Sequence, residues 1–299
     1  MGNESSRTRV LPKARRVRFA LPSGTVRQHF VGDDLVMSHF ISTLSATFPE
    51  GEDFFIRSVR HYRDHIRDPD LREAVTGFIA QEATHRHQHR LLNERLQAMG
   101  YPTDRIDRHI KNLVARLEQR FSPLMRLAVT AALEHYTATL AEIILTSDEA
   151  QKLIGDTEVR PILLWHAFEE SEHKAVAFDV LRMVGATERT RIRGMRVASL
   201  ILFTELIAQT LRSMAADRAA YHPKRMIASL KAFRRSPMFS PEAVQRFRSY
   251  NRPGFHPDDW DSADVLDRWA AELFAADGAQ RIGQPADALR DSGLHHDPA

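Results

Sequence analysis

The chain has 299 residues, 43% of them apolar and 27% charged, with 42 Lys and Arg against 39 Asp and Glu. That describes a soluble globular chain with room for a buried site. With no cysteine there are no disulfides, iron–sulfur clusters, thiolate zinc sites or cysteine nucleophiles, and a net charge of +3 does not argue for nucleic acid as the main partner.

Residues 1–30 form a basic arm broken by proline. It carries Arg7, Arg9, Lys13, Arg15, Arg16 and Arg18 with no apolar stretch behind them, so it does not read as a signal peptide. A loosely docked or disordered tail is expected, with attraction to an acidic surface such as a membrane leaflet as the alternative. From Asp33 onward the pattern is helical, and 50–67 reads as one helix stopped by Asp68-Pro69. Asp68 then caps a second helix with Pro69 at its first position, running to Met99 and stopped by Gly100. A connecting helix follows over about 104–121. Ser122-Pro123 opens the next, which runs to about Leu145, and Thr157 caps another that ends before Gly185. A helix over about 188–215 contains the longest apolar run, Val197 to Leu211, interrupted by Thr204, Glu205 and Gln209 and short of the roughly 20 apolar residues of a membrane span. After Asp217 the chain is richer in proline and charge, with one more amphipathic helix expected over 263–275 and a disordered end. No alternating run suggests a sheet. The expected domains are the arm over 1–30, a helical bundle over 31–216 and a helical and irregular extension over 217–299.

The inward stripes of the four main helices carry the chemistry. They read Glu52, Phe55, Val59, Tyr62, Ile66; then Val75, Phe78, Glu82, His85, His89, Leu92, Leu96; then Leu127, Thr130, Glu134, Thr137, Ala141, Ile144; then Leu163, His166, Glu170, His173, Ala177, Val180, Val184. Each apolar stripe is broken by carboxylates or imidazoles. An ionised carboxylate in a core costs several kcal/mol unless it is paired or bound to a metal. Two divalent cations would cancel the charge of Glu52, Glu82, Glu134 and Glu170. One Glu on each of two helices and Glu-x-x-His on each of the other two is the donor set of di-iron and di-manganese carboxylate bundles. The expected fold is therefore all-α, a ferritin-like four-helix bundle with additional C-terminal helices. The order, a Glu helix followed by a Glu-x-x-His helix, occurs twice, like an internal duplication.

From Phe48 to about Arg191 the chain resembles a bacterial family of predicted metal-dependent hydrolases, through FPEGEDFFIRSVRHY, FIAQEATHRHQH, ALEHYTA and WHAFEESEHKAVAFDV. The run His166-x-x-x-Glu170-x-x-His173 is also similar to the fourth-helix motif of the p-aminobenzoate N-oxygenase family of di-iron enzymes, which implies that His166 is a further ligand and catalytic; the alternative is a helix-start histidine hydrogen-bonded to a ligand. Phe78 stands at the matching place of the second helix. Among the neighbours, Glu50 is a substitute ligand at best, His87 is expected in solvent, and His89 is expected either to orient a ligand or to pack. Glu169 and Glu172 are expected to face water or an arginine. Tyr62 is expected in the core rather than in a radical role. Glu205 is a candidate partner for Arg60 or Arg193.

Four carboxylates and three imidazoles favour two iron ions, with manganese or zinc as alternatives. The expected activity is a di-iron oxidase or oxygenase acting on a small organic substrate, apolar or lipid-like. The alternatives are a two-metal hydrolase using a bridging hydroxide, as the family description suggests, and an iron-handling or peroxide-protective protein. A cytoplasmic location without a transmembrane span is expected. Peripheral membrane contact through 188–215, a homodimer and the identity of an electron donor are left open.

Overall fold

The structure, a computed structural model, describes residues 11–15, 17, 19, 28–155 and 159–274. It is all-α, with no β-strand among the described residues. The helices are α1 (Leu35–Arg60), α2 (Pro69–Ala98), α3 (Thr103–Arg120), α4 (Pro123–Thr146), α5 (Asp148–Ile154), α6 (Arg160–His173), α7 (Val176–Met183), α8 (Glu188–Ala215), α9 (Pro223–Arg234), α10 (Pro241–Ser249) and α11 (Ala263–Leu273).

Local chemistry sets most of the boundaries. The side chain of Asp68 accepts from the Asp70 amide at the start of α2, Ser122 accepts from Met125 at the start of α4, and Thr187 accepts from Thr190 at the start of α8. Gly100 follows α2 at φ 101°, a conformation that favours glycine.

Three expectations change. The first helix begins at Leu35, capped by Asp34, and ends at Arg60, so it runs through Pro49 instead of starting beside it. Proline at 49 cannot donate to the carbonyl of Ser45, which instead accepts from Nδ2 of Asn93 on α2 at 3.1 Å. The helix interruption is thus repaired by a cross-link to its neighbour. The stretch ending before Gly185 is two helices, α6 and α7, broken just after His173. There the side chain of Lys174 is drawn to Glu142 (2.8 Å) and Ser262 (2.7 Å). The cap expected at Thr157 lies outside the described residues, α5 was not expected, and α9 and α10 fall in the extension over 217–299 that was expected to be partly helical.

α1 lies along α2 and α4 along α6, while α3 covers α1, and α8 crosses both α4 and α1. Phe54, Phe55, Val59, Val75, Phe78 and Leu127 belong to the main core beside the site. The basic arm lies mostly outside the described residues. Its described part is docked: Val17 is buried, Phe19 packs on Trp165 at 5.4 Å, and Pro12 crosses α2 where Gly77 has no side chain. A Cβ at Gly77 would run into the Pro12 carbonyl. The expected disorder at the C-terminal end also falls outside the described residues.

Candidate metal centre

Four helices deliver the expected donors to one place. Glu52 comes from α1, Glu82 and His85 from α2, Glu134 from α4, and His166, Glu170 and His173 from α6. None is more than 5% exposed. They fall into two groups whose donor atoms lie within 4.8 Å of one another: Glu52, His85 and His166, and Glu82, Glu170 and His173. Glu134 joins the second, with its Oε2 3.4 Å from His173 Nε2. Tyr62 packs against the core, His87 is exposed, and Glu50 pairs with Arg90 at 3.4 Å, so none of the three reaches the cluster.

The atoms that point inward have no ordinary partner. Both oxygens of Glu52, Glu82 and Glu134, Oε2 of Glu170, Nδ1 of His85 and Nε2 of His173 are buried without a hydrogen bond. Such atoms cost several kcal/mol unless something else satisfies them. Their spacing suggests what does. Nε2 of His166 lies 2.9 Å from Oε1 of Glu170, and Nε2 of His173 lies 3.1 Å from Oε1 of Glu82 and 3.5 Å from Oε1 of Glu170. Adjacent donors bonded to one ion at about 2.1 Å stand about 3 Å apart. Buried, unsatisfied and spaced for a cation, the residues fit a metal.

A family profile described as predicted metal-dependent hydrolase matches residues 13–261. The chain belongs to that family. Comparison with curated proteins and with solved structures finds no match.

In this member of the family each imidazole is held from behind. Nε2 of His85 bonds Oε2 of Glu169 at 3.0 Å, and Nδ1 of His173 bonds Oε1 of Gln81 at 2.9 Å. Both lines end at Arg15. Its guanidinium donates to Glu169 at 3.2 Å and to both oxygens of Glu172 at 2.7 Å, and Glu172 in turn accepts from Nε2 of Gln81 at 2.5 Å. Such outer partners fix the ring orientation of metal-binding histidines. Glu169 and Glu172 are therefore buried, not in water, though the arginine expected as their partner is there.

His166 is oriented by a second chain of bonds. Asn93 Oδ1 accepts from Ser45 Oγ (2.7 Å), so Ser45 Oγ is free to accept from His89 Nδ1 (2.9 Å). His89 Nε2 then accepts from His166 Nδ1 at 2.6 Å, and Nε2 of His166 is left with a bare lone pair facing Glu170. Phe48 packs on both rings, at 4.6 and 4.7 Å, and screens this bond from water. Sequence reasoning placed His89 on the right face but missed Ser45, Asn93, Gln81 and Arg15; the outer partners carry no periodic signal of their own.

Charge in the cluster is strained. Burial and the Glu82 charge push Glu52 well above the carboxylate range, and burial with Glu82 and Glu170 does the same to Glu134. Burial opposes protonation of His85, but its bond to Glu169 and the nearby Glu170 carboxylate outweigh it and raise the imidazole to about 10. His173 is likewise raised against burial by Glu170. Burial and the charge of His85 depress His166 to about 4, and it stays neutral.

A third His/Asp group, His29, His39 and Asp217, was not anticipated and differs in kind. Arg225 donates to His29 Nδ1 at 2.8 Å, and the two Nε2 atoms lie 2.7 and 3.1 Å from Asp217 Oδ2. His39 Nδ1 bonds Ser213 at 2.8 Å. Every nitrogen is used, so the group ties α1 to the end of α8 rather than offering lone pairs to an ion. Glu205 pairs with His109 at 2.9 Å and Gln209 at 3.0 Å, not with Arg60 or Arg193.

Proposed function

We propose that this chain holds two metal ions between α1, α2, α4 and α6, in the manner of a ferritin-like carboxylate protein, and uses them to oxidise an apolar, elongated substrate with dioxygen. One observation carries the reading: the donor cluster opens, through His166 and Glu170, onto a cavity of about 190 Å³ walled almost wholly by hydrocarbon. The walls run from Ile41 to Phe55 on α1 and from Val129 to Ile144 on α4, on the order of 20 Å at 1.5 Å per residue. A chain-like molecule fits that shape, with its reactive end at His166.

Glu52, His85 and His166 would hold one ion, and Glu82, Glu134, Glu170 and His173 the other. Oxygen and imidazole donors without thiolate suit iron or manganese, which when bound would supply dioxygen activation. The chain's own part is to orient and to keep dry. His89 holds the Nδ1 proton of His166 and so keeps Nε2 bare. Phe48, Leu133 and Leu140 line the cavity and exclude water from the substrate's reactive end.

A second reading is favoured by the family description: hydrolysis of an ester or amide of the same apolar body by a water activated between the two ions. Against it, the cavity offers few polar groups to grip a scissile carbonyl. One experiment separates the two. Protein stripped of metal and reloaded anaerobically with Fe(II) should bind two ions per chain, and oxygen consumption should rise when long-chain apolar compounds are added. Steady hydrolysis of long-chain esters by the zinc-loaded form, with an iron form inert to oxygen, would replace the oxidative reading with the hydrolytic one.

A further inference from the structure

Helix α8 has two unlike faces. On the inner face Arg191, Gly194, Met195, Ala198 and Leu206 are buried. Gly194 lies so close to α4 that a Cβ there would come within 2.6 Å of the Ala128 carbonyl oxygen. Ala198, Leu202 and Leu206 also line the apolar cavity. The outer face is a single stripe at spacings of three and four. It begins with Arg189, Arg193 and Arg196 and continues with Leu200, Phe203, Ile207 and Leu211, all exposed. The four apolar side chains are 70%, 46%, 60% and 59% exposed. After Glu188 the one acidic residue on α8 is Glu205, and it is turned to His109. The stripe is therefore cationic in its first half and hydrocarbon in its second.

The order of charge selects the occupant. Two copies of the chain pairing through this stripe about a two-fold axis would set the helices antiparallel, with three arginines against four hydrophobic residues, or parallel, with arginine against arginine. An anionic bilayer suits both halves at once. Residues 200–211 present about 16 Å of apolar edge to the acyl boundary, while the guanidinium groups stay at the phosphates. By length and composition alone α8 is apolar enough to cross a membrane, with a mean hydropathy of 1.3 over its best window. Yet 33% of that window is buried, and the inner face is fixed to α4 at Gly194. The helix can lie on a bilayer without leaving the fold.

We propose that the outer face of α8 docks this protein on an anionic lipid bilayer, one helix thickness from the cavity. The surface claim goes beyond the chemistry proposed above and is tested without it. Full-length protein, metal-free and metal-loaded, is floated on a density gradient with vesicles of phosphatidylcholine alone or mixed with phosphatidylglycerol. It should rise with the anionic vesicles and be released by salt. Leu200→Ser with Ile207→Ser, which removes apolar anchors from the acyl boundary, and separately Arg193→Glu with Arg196→Glu, which reverses the charge at the phosphates, should each weaken binding on the order of tenfold or more. All four positions are exposed, and unchanged circular dichroism will verify that the variants fold. The proposal is overturned if wild type stays at the bottom with both vesicle types, or if the variants float as well as wild type. It is equally overturned if sedimentation shows a dimer that the Leu200/Ile207 variant converts to monomer while no vesicle is bound, since the face then belongs to a second copy.

Discussion

Ser45 serves two purposes through two atoms. Its carbonyl, freed by Pro49, takes a proton from Asn93, and its hydroxyl returns one to the same amide, at 3.1 and 2.7 Å. That exchange fixes the Asn93 amide, which directs the Ser45 hydroxyl, which sets His89, which sets His166. His89→Leu should therefore leave the fold in place but lower metal affinity by about 10–100-fold, the usual cost of losing an outer partner. Competition with a chelator measures this, and His89→Gln should recover part of the loss. Equal affinity in wild type and His89→Leu would mean that His166 is not held through this chain. At this scale the sequence made legible the residues whose spacing puts them on one helix face: Glu82 with His85, and Glu170 with His173. Glu52 and Glu134 were readable as breaks in apolar stripes, and His166 from the family resemblance. Gln81, Arg15, Ser45 and Asn93 were not, because each reaches the site from a different element, and tertiary contacts leave no spacing rule in the chain.

The helices show the same division. Asp68-Pro69, Ser122-Pro123 and Gly100 are local devices and were readable, since a cap acts within one turn of itself. The passage of α1 through Pro49 and the break at Lys174 were not readable, because the groups that permit them, Asn93, Glu142 and Ser262, lie on other segments. The seat of α8 is a third such case. Glycine at 194 allows its backbone to touch Ala128 of α4. Gly194→Val would force the helices apart and should cost about 1–3 kcal/mol, typical of overpacking at a close contact. Urea unfolding measures it, and a stability equal to wild type would show that the contact yields freely.

For the whole molecule, protonation and metal compete for the same atoms. In metal-free protein His85 is raised from 6.5 to about 10 and His173 is raised as well. Between these limits the folded chain holds protons that the unfolded chain has released, so their stabilisation is complete below about pH 6.5 and is lost as pH climbs toward 10. Glu52 and Glu134, raised above 4.5, push in the same direction. Metal binding requires the deprotonated donors, so loaded protein should change little over this window. The difference in melting temperature between loaded and chelator-treated protein should widen from about pH 7 to about pH 9.5. A constant difference would indicate that the cluster does not trade protons for ions.

The segment at Pro12–Arg15 connects this balance to the outside. Arg15 grips Glu172 and Glu169, and the Lys13 backbone meets Glu172 at 3.3 Å and Gln81 at 3.1 Å. Trypsin can cut after Arg15 only when that side chain leaves Glu169 and Glu172, and its departure removes the anchor behind the Glu169 that orients His85 and the Glu172 that holds Gln81 against His173. Tryptic nicking at that one bond is therefore a clock for how often the centre loses its outer supports, read from the rim of the protein while the donors themselves stay buried.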